Sequence, residues 1–340
     1  VGRRDYCCRD RSIKQMRSVV QKALRVRELP VFVFLILVSI VTGIANPAFF
    51  TVSGLQDVLL GVAVIATLAV AQSLVIVMKH IDLSVGSTIG FTAYVVGASS
   101  SWGHNVWWAV GAALAIGLAV GAANGFMVAY LKLPSLVVTL ATLYIVRGIF
   151  NEVAGGDTIT EDRVPKAVNF LGLNSFFGIP LIFLIGFALM FVVGFIMKRF
   201  RAARDLYAIG SNLPAAELAG IPVARRVFLS FLATGAVSGL AGILLLARFN
   251  TAAANSGAGL ELNVVAACVV GGVAIAGGIG TVYGAVIGAV LLQTITMALG
   301  ALGIPQFWQQ AVNGILLIAA ISLDRYLSSR VKPTSIMGSN

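Results

Sequence analysis

The chain has 340 residues, of which 59% are hydrophobic and only 11% charged, against about 25% charged in an ordinary soluble domain. That leaves too few polar residues to cover a soluble surface, and far too much hydrophobicity for a disordered chain. A net charge of +11, from 24 Lys plus Arg over 13 Asp plus Glu, would suit nucleic acid or a membrane, so the placement of the basic residues decides between them.

Mostly apolar runs of about 18 residues read as membrane-spanning helices. Ten are expected, at 31–46, 58–78, 85–101, 106–130, 134–151, 179–197, 227–247, 261–278, 282–300 and 305–323. The third, fifth and eighth carry Gly, Ser or Thr clusters, and such breaks survive in a bilayer only where protein or a water-lined cavity satisfies the freed backbone. The fold class is therefore an all-α membrane protein, a polytopic bundle of about ten helices, some broken, with both termini cytoplasmic. Residues 1–29 form a basic cytoplasmic segment, 30–325 the transmembrane domain with a loop at 198–226, and 326–340 a tail.

On this topology the basic residues gather inside. They lie in the first 29 residues, at Lys79 and Lys132, through Lys198, Arg199, Arg201, Arg204, Arg225 and Arg226, and in the tail. Arg163, Lys166 and Arg248 fall outside, and Arg147 lies within a span. The bias follows the positive-inside rule and accounts for the basicity through topology and anionic lipid. No basic stripe with interleaved aromatics remains, so nucleic acid is not an expected partner. The N-terminal stretch is too long and basic for a cleaved signal. Three Cys and two His make a metal site improbable. Cys268 reads as a small hydrophobe within a span.

The first motif is Lys79-His80-Ile81-Asp82-Leu83-Ser84-Val85-Gly86-Ser87. It closes one apolar run and opens the next, with Asp82 and Ser84 suited to cap the following half-helix. An acid at or near membrane depth is costly and usually functional, the plain alternative being a cytoplasmic turn. The second lies in the basic interval. Asn212 suits an N-cap, Pro214 a first turn, Gly220 a C-terminal cap and Pro222 a stop. The result is a helix of about two turns, too short to stand alone, which docks on its own bundle, the membrane face or a partner. Ala215, Ala216 and Ala219 give it a slim face. The third is Gly257-Ala258-Gly259-Leu260-Glu261 with the glycine pairs of 271–280. Without a Gly-Lys dipeptide or a preceding strand it is no nucleotide loop, and it reads as a discontinuous helix near a solute path. Gly117, Gly121 and Gly125, and likewise Gly280, Gly284 and Gly288, suit close helix contact.

Gln72, Asn124, Thr139, Thr142, Arg147, Gln293 and Asn313 are polar residues inside spans. Each either ties helices together or lines a polar path. Arg147 needs a partner, water or an outward snorkel. No acidic ladder, voltage sensor, filter repeat or nucleophile–base pair is present, so an energised transporter of this composition draws its energy from another chain.

From about residue 30 to 325 the sequence resembles the permease subunits of bacterial ATP-binding-cassette sugar importers of the ribose, xylose, galactoside and rhamnose type. The resemblance rests on Ile81 to Ser87, on Tyr207 to Asn212 with Ala215-Ala216 and Ala219 to Val223, and on Gly259 to Glu261 with Gly271 to Gly280. His80 stands where Gly or Asn is common. The stretch 131–140 and the Ala266-Ala267-Cys268 run are nearest to rhamnose-type permeases and to those for the furanosyl quorum-sensing signal.

The resemblance implies a ten-span subunit working in a homodimer or heterodimer in a bacterial inner membrane. Cytoplasmic ATPase subunits dock on a coupling helix, and an extracytoplasmic binding protein delivers a monosaccharide. The coupling helix then comprises Asn212, Pro214, Ala215, Ala216, Glu217, Gly220 and Ile221. The expected path residues are His80, Asp82, Ser84, Gln72, Asn124, Thr139 and Arg147. ATP belongs to the partner, and this chain needs no cofactor and is no enzyme. Glu152, Asp157, Glu161 and Asp162 are placed to help dock the binding protein. By physics alone the rival reading is a secondary transporter or facilitator for a small polar solute.

Overall fold

The computed structural model describes residues 28–305 continuously and single positions beyond them up to 322. The basic segment, apart from its last two residues, the tail, Asn313 and most of the tenth expected span lie outside the described residues. Within them the chain is helical almost throughout: α1 (Glu28–Ala45), α2 (Val52–Val77), α3 (Val85–Ala98), α4 (Val106–Ala129), α5 (Ser135–Ala154), α6 (Lys166–Leu173), α7 (Leu181–Arg199), α8 (Arg201–Ser211), α9 (Leu213–Leu218), α10 (Val223–Phe249), α11 (Leu260–Val270) and α12 (Val282–Ala301). Strands β1 (Ser175–Phe176) and β2 (Ile179–Pro180) make one small antiparallel hairpin before α7.

Among the described residues six helices, α2, α4, α5, α7, α10 and α12, are long and apolar enough to cross a bilayer. Nine of the ten expected spans thus have a helix, but those expected at 31–46, 85–101 and 261–278 are shorter apolar helices. The eighth was expected to reach 278 and stops at Val270. Its continuation is broken because Gly272, Gly277, Gly278 and Gly280 all take positive φ, a region open to glycine. Side-chain caps fix several starts. Thr51 accepts from Gly54 N, Asn105 from Trp108 N, and Thr281 from Gly284 N, each satisfying an otherwise orphaned donor.

Helix α2 is the axis of the molecule, with 89% of its apolar stretch buried, against 22% for α4 and 28% for α5 and α7. The peripheral helices expose Tyr144, Ile145, Phe191, Val192 and Phe195. An apolar surface of this extent suits lipid or another membrane chain.

Helices α4 and α10 meet backbone to backbone. A side chain at Gly117 or Gly121 would strike the main chain of Gly235 or Phe231, and one at Gly235 would strike Gly117 and Gly121. The second glycine row is shorter than expected: Gly284 lies against Gly271 and Gly288 against Ala267, while Gly280 precedes α12 at φ +136° and is not on its face.

The two ends of the bundle differ. At one end the C-terminus of α2, helices α8 and α9 and the 271–281 segment converge. At the other, the loop after α5 pairs with the loop after α10 through Ile159 and Ala252, and Gln56 Nε2 donates to Gly178 O of the hairpin (3.0 Å). There Arg163 pairs with Asp157 at 2.7 Å, which holds that carboxyl below its usual range.

Candidate functional site

The break between α2 and α3 is built around Asp82, which is 1% exposed. Ser84 does not cap α3 with its own side chain, contrary to expectation. Asp82 Oδ1 instead accepts from both Ser84 N (2.9 Å) and Ser84 Oγ (2.6 Å), a local turn that sets the start of α3.

A carboxylate offers only acceptors, and this fixes the direction of a longer chain of bonds. Ser84 gives its proton to Asp82, so its oxygen is free to accept from Asn124 Nδ2 of α4 (2.8 Å). Asn124 Oδ1 then accepts from Thr142 Oγ1 of α5 (2.7 Å). On the other side, the Gln72 amide of α2 faces the Asp82 main chain, and with its oxygen assigned toward Asp82 N, the orientation that satisfies both groups, it accepts from N (3.1 Å) and donates to O (3.3 Å). Thr139 Oγ1 donates to Ile81 O (3.1 Å), and Ser135 Oγ accepts from Ile81 N (3.3 Å). Four helices are therefore tied to one seven-residue break. Gln72, Asn124 and Thr139 are fully buried, and a buried polar network rewards complete satisfaction and penalises any gap.

Six of the seven expected path residues thus lie at or beside this break. His80 is half-buried, its ring 6.0 Å from that of Phe231. Arg147 does not join them. Its Nη1 donates to Ala254 O (2.9 Å) and Ser256 O (2.8 Å), and its Nη2 to Gly86 O (3.3 Å). The charge is met by backbone carbonyls, and no outward snorkel is needed. The planar fork clamps the loop after α10 onto α3. Gly86 and Gly90 are what let that loop approach, since a side chain there would strike Glu261 or the Ser256 carbonyl.

Lysine keeps the charge of arginine but not the fork. Arg147→Lys is therefore expected to loosen 250–259 by about 1–3 kcal/mol, read as faster hydrogen exchange in that segment with the rest of the bundle unchanged. Unchanged exchange there would mean the clamp carries no load.

At the basic end, Asn212 Oδ1 accepts from Ala215 N (3.2 Å) and Pro214 stands in the first turn, as the sequence suggests. The helix has six residues, about two turns, and Gly220 follows at φ +75°. Only Ala216 of the slim alanine face is buried, while Ala215, Glu217, Leu218 and Ala219 are exposed, Leu218 at 91%. This helix is presented outward.

Its neighbour α8 reaches both breaks. Gly210 packs against Val77 O, Gly278 N donates to Val77 O (2.8 Å), and Tyr207 Oη donates to Gly280 O (3.0 Å). Asp205 of α8 pairs with Arg226 of α10 (2.8 Å). Sequence reading missed that pair and the role of Ser135, because neither pattern has a local signature: the partners come from different helices.

The chain matches the family model described as a branched-chain amino acid transport system permease component over residues 54–321. It is similar to the autoinducer 2 import system permease protein LsrC of Klebsiella pneumoniae, 35% identical over 301 residues, covering 88% of this chain and 87% of that one. It is similar to the L-arabinose ABC transporter permease protein AraH of Azospirillum brasilense, 34% identical, covering 87% and 86%. The LsrC of Salmonella paratyphi B is 31% identical over 298 residues, covering 88% and 86%. No solved structure matches this chain.

Proposed function

The chain belongs to this family of ABC importer permeases, multi-pass proteins of the bacterial inner membrane, and from that premise we propose that it forms the translocation path for a monosaccharide or a sugar-like furanosyl signal. It does so as a ten-span subunit with cytoplasmic termini, paired with a second permease subunit. ATP is bound and hydrolysed by separate cytoplasmic ATPase subunits, so this chain is no enzyme and carries no cofactor. An extracytoplasmic binding protein supplies the solute, and the acids of the loop after α5 face it.

The observation that carries this reading is mechanical. Helix α9, capped by Asn212 and exposed on nearly every side, is joined to α8, and α8 touches both breaks at Val77 and at Gly278 and Gly280. Force applied by an ATPase to Leu218, Glu217 and Ala215 is delivered to the two places where the membrane helices are discontinuous. The Asp82 network is the inner gate of the path in this reading, which its burial supports. His80, Asp82, Ser84, Gln72, Asn124 and Thr139 line it when α3 moves, and Arg147 holds the outer loop in register. A facilitator would need no such helix.

Leu218→Asp and Gly220→Val test the assignment. The site at Gly220 is open, so the cost of valine there is backbone strain at positive φ rather than a clash, about 1–2 kcal/mol. Each variant is expected to insert normally yet lose ATP-driven uptake about tenfold or more, with ATP hydrolysis no longer stimulated by the loaded binding protein. Normal stimulation in both would remove α9 from the coupling role.

A further inference from the structure

A cavity of about 290 Å³ lies in the outer half of the bundle between α2, α10, α11 and α12. It is at the lower end of the size range of small-molecule sites. Val64, Ile65 and Leu245 give it an aliphatic side, and Arg248, Asn263 and Thr296 give it polar groups. It is separate from the Asp82 network, which lies at the basic end.

The polar groups are complementary in kind. Arg248 makes one long hydrogen bond among the described residues, from Nη1 to Gly61 O at 3.4 Å, so a guanidinium with five donors has capacity left for a ligand. The Thr296 hydroxyl gives its proton to Leu292 O (3.0 Å), so toward the cavity it offers lone pairs. The Arg248 ion lies within electrostatic reach of Asp57, which offsets the charge and disfavours an anion. The Phe249 ring lies 4.6 Å from the same guanidinium, and Phe249 also lines the cavity. A donor fork, a hydroxyl acceptor, an amide, a ring and an aliphatic wall suit a neutral ligand with hydroxyls on one side and C–H groups on the other.

We infer that this cavity is an outer holding site for a neutral monosaccharide, occupied after release from the binding protein and before the inner gate opens. The inference rests on the transport reading above and adds a place and a set of contacts to it.

The test is solute protection of single cysteines in the assembled complex. Cys7, Cys8 and Cys268 are first replaced by Ala, and Thr296→Cys or Ala258→Cys is introduced, with Leu131→Cys, exposed on the turn after α4, as a control outside the cavity. Labelling by a small methanethiosulfonate is timed with L-arabinose, D-ribose, D-xylose and L-rhamnose, while uptake of each is measured in the same cysteine-free complex. The imported sugar, at about ten times its dissociation constant, is expected to slow labelling at both cavity positions about tenfold, with no change at the control or with sugars that are not imported. Equal labelling rates at both positions, in a complex that imports the sugar, overturn the holding site and leave the transport reading intact. With the furanosyl signal added to the panel, import of that signal alone overturns the monosaccharide site, a complex that imports nothing overturns both, and the uptake readout tells the failures apart.

Discussion

Asp82→Ala is expected to abolish ATP-driven uptake and to destabilise the membrane fold. The substitution leaves Ser84 N and Ser84 Oγ without their common acceptor in a site that water does not reach. Each stranded donor costs about 1–3 kcal/mol, so with both stranded the break loosens by about 2–6 kcal/mol. Released from Asp82, the Ser84 hydroxyl turns to another acceptor, and Asn124 and Thr142 lose the direction that the carboxylate imposes. Asp82→Asn separates geometry from charge. It keeps an oxygen of the same shape, so melting of the purified complex is expected to change little. Uptake falls about tenfold, equivalent to ~1.4 kcal/mol, because the charge-assisted bonds that hold α3 are weakened. Thr142→Val, at the far end of the chain of bonds, is expected to cost least. Wild-type uptake in Asp82→Ala would reduce the motif to a cytoplasmic turn.

Gly235→Val is expected to be as damaging by a different route. Its added carbon meets the Gly117 carbonyl and the Gly121 main chain, and backbone cannot step aside as a side chain can. Overpacking of this kind costs about 1–3 kcal/mol, and more where the neighbours are rigid. The strain is relieved only if α4 moves away from α10. Because α4 carries Asn124, that movement also pulls the amide from Ser84 Oγ, so a packing defect becomes a gating defect. The expected result is a lower melting temperature together with lost uptake. Gly111→Val, on the same helix α4 but with open space around it, is the matched control and should behave as wild type. Equal damage from both would point to valine's helix propensity rather than to the glycine seam.

Much of this was legible in the sequence for identifiable reasons. Hydropathy places the long helices because a span must satisfy its own backbone. The glycine rows at 117, 121 and 125 mark a seam because only missing side chains let two backbones touch. Asn212 and Pro214 mark a helix start because capping is local. What the sequence did not yield is non-local. It offered Arg147 as a path residue, and only the fold reveals three carbonyls, from two segments, around its fork. It offered Ser84 as a cap, whereas the hydroxyl is drawn sideways by Asp82 and Asn124. It ran the eighth span on to 278, because hydropathy does not penalise the positive-φ glycines that end α11 at Val270. Asp205 and Arg226 looked like two members of a charged loop until α8 folded back on α10.

The central claim is that motion of an outward helix, driven by a separate ATPase, opens a sugar path in this chain. The most direct measurement is uptake of labelled sugars into proteoliposomes holding this chain with its ATPase and the cognate binding protein, each component omitted in turn. The account predicts uptake against a gradient only when all three and ATP are present, and its loss in Leu218→Asp. Downhill uptake by this chain alone, unaffected by ATP or by that substitution, would contradict it and make the protein a facilitator.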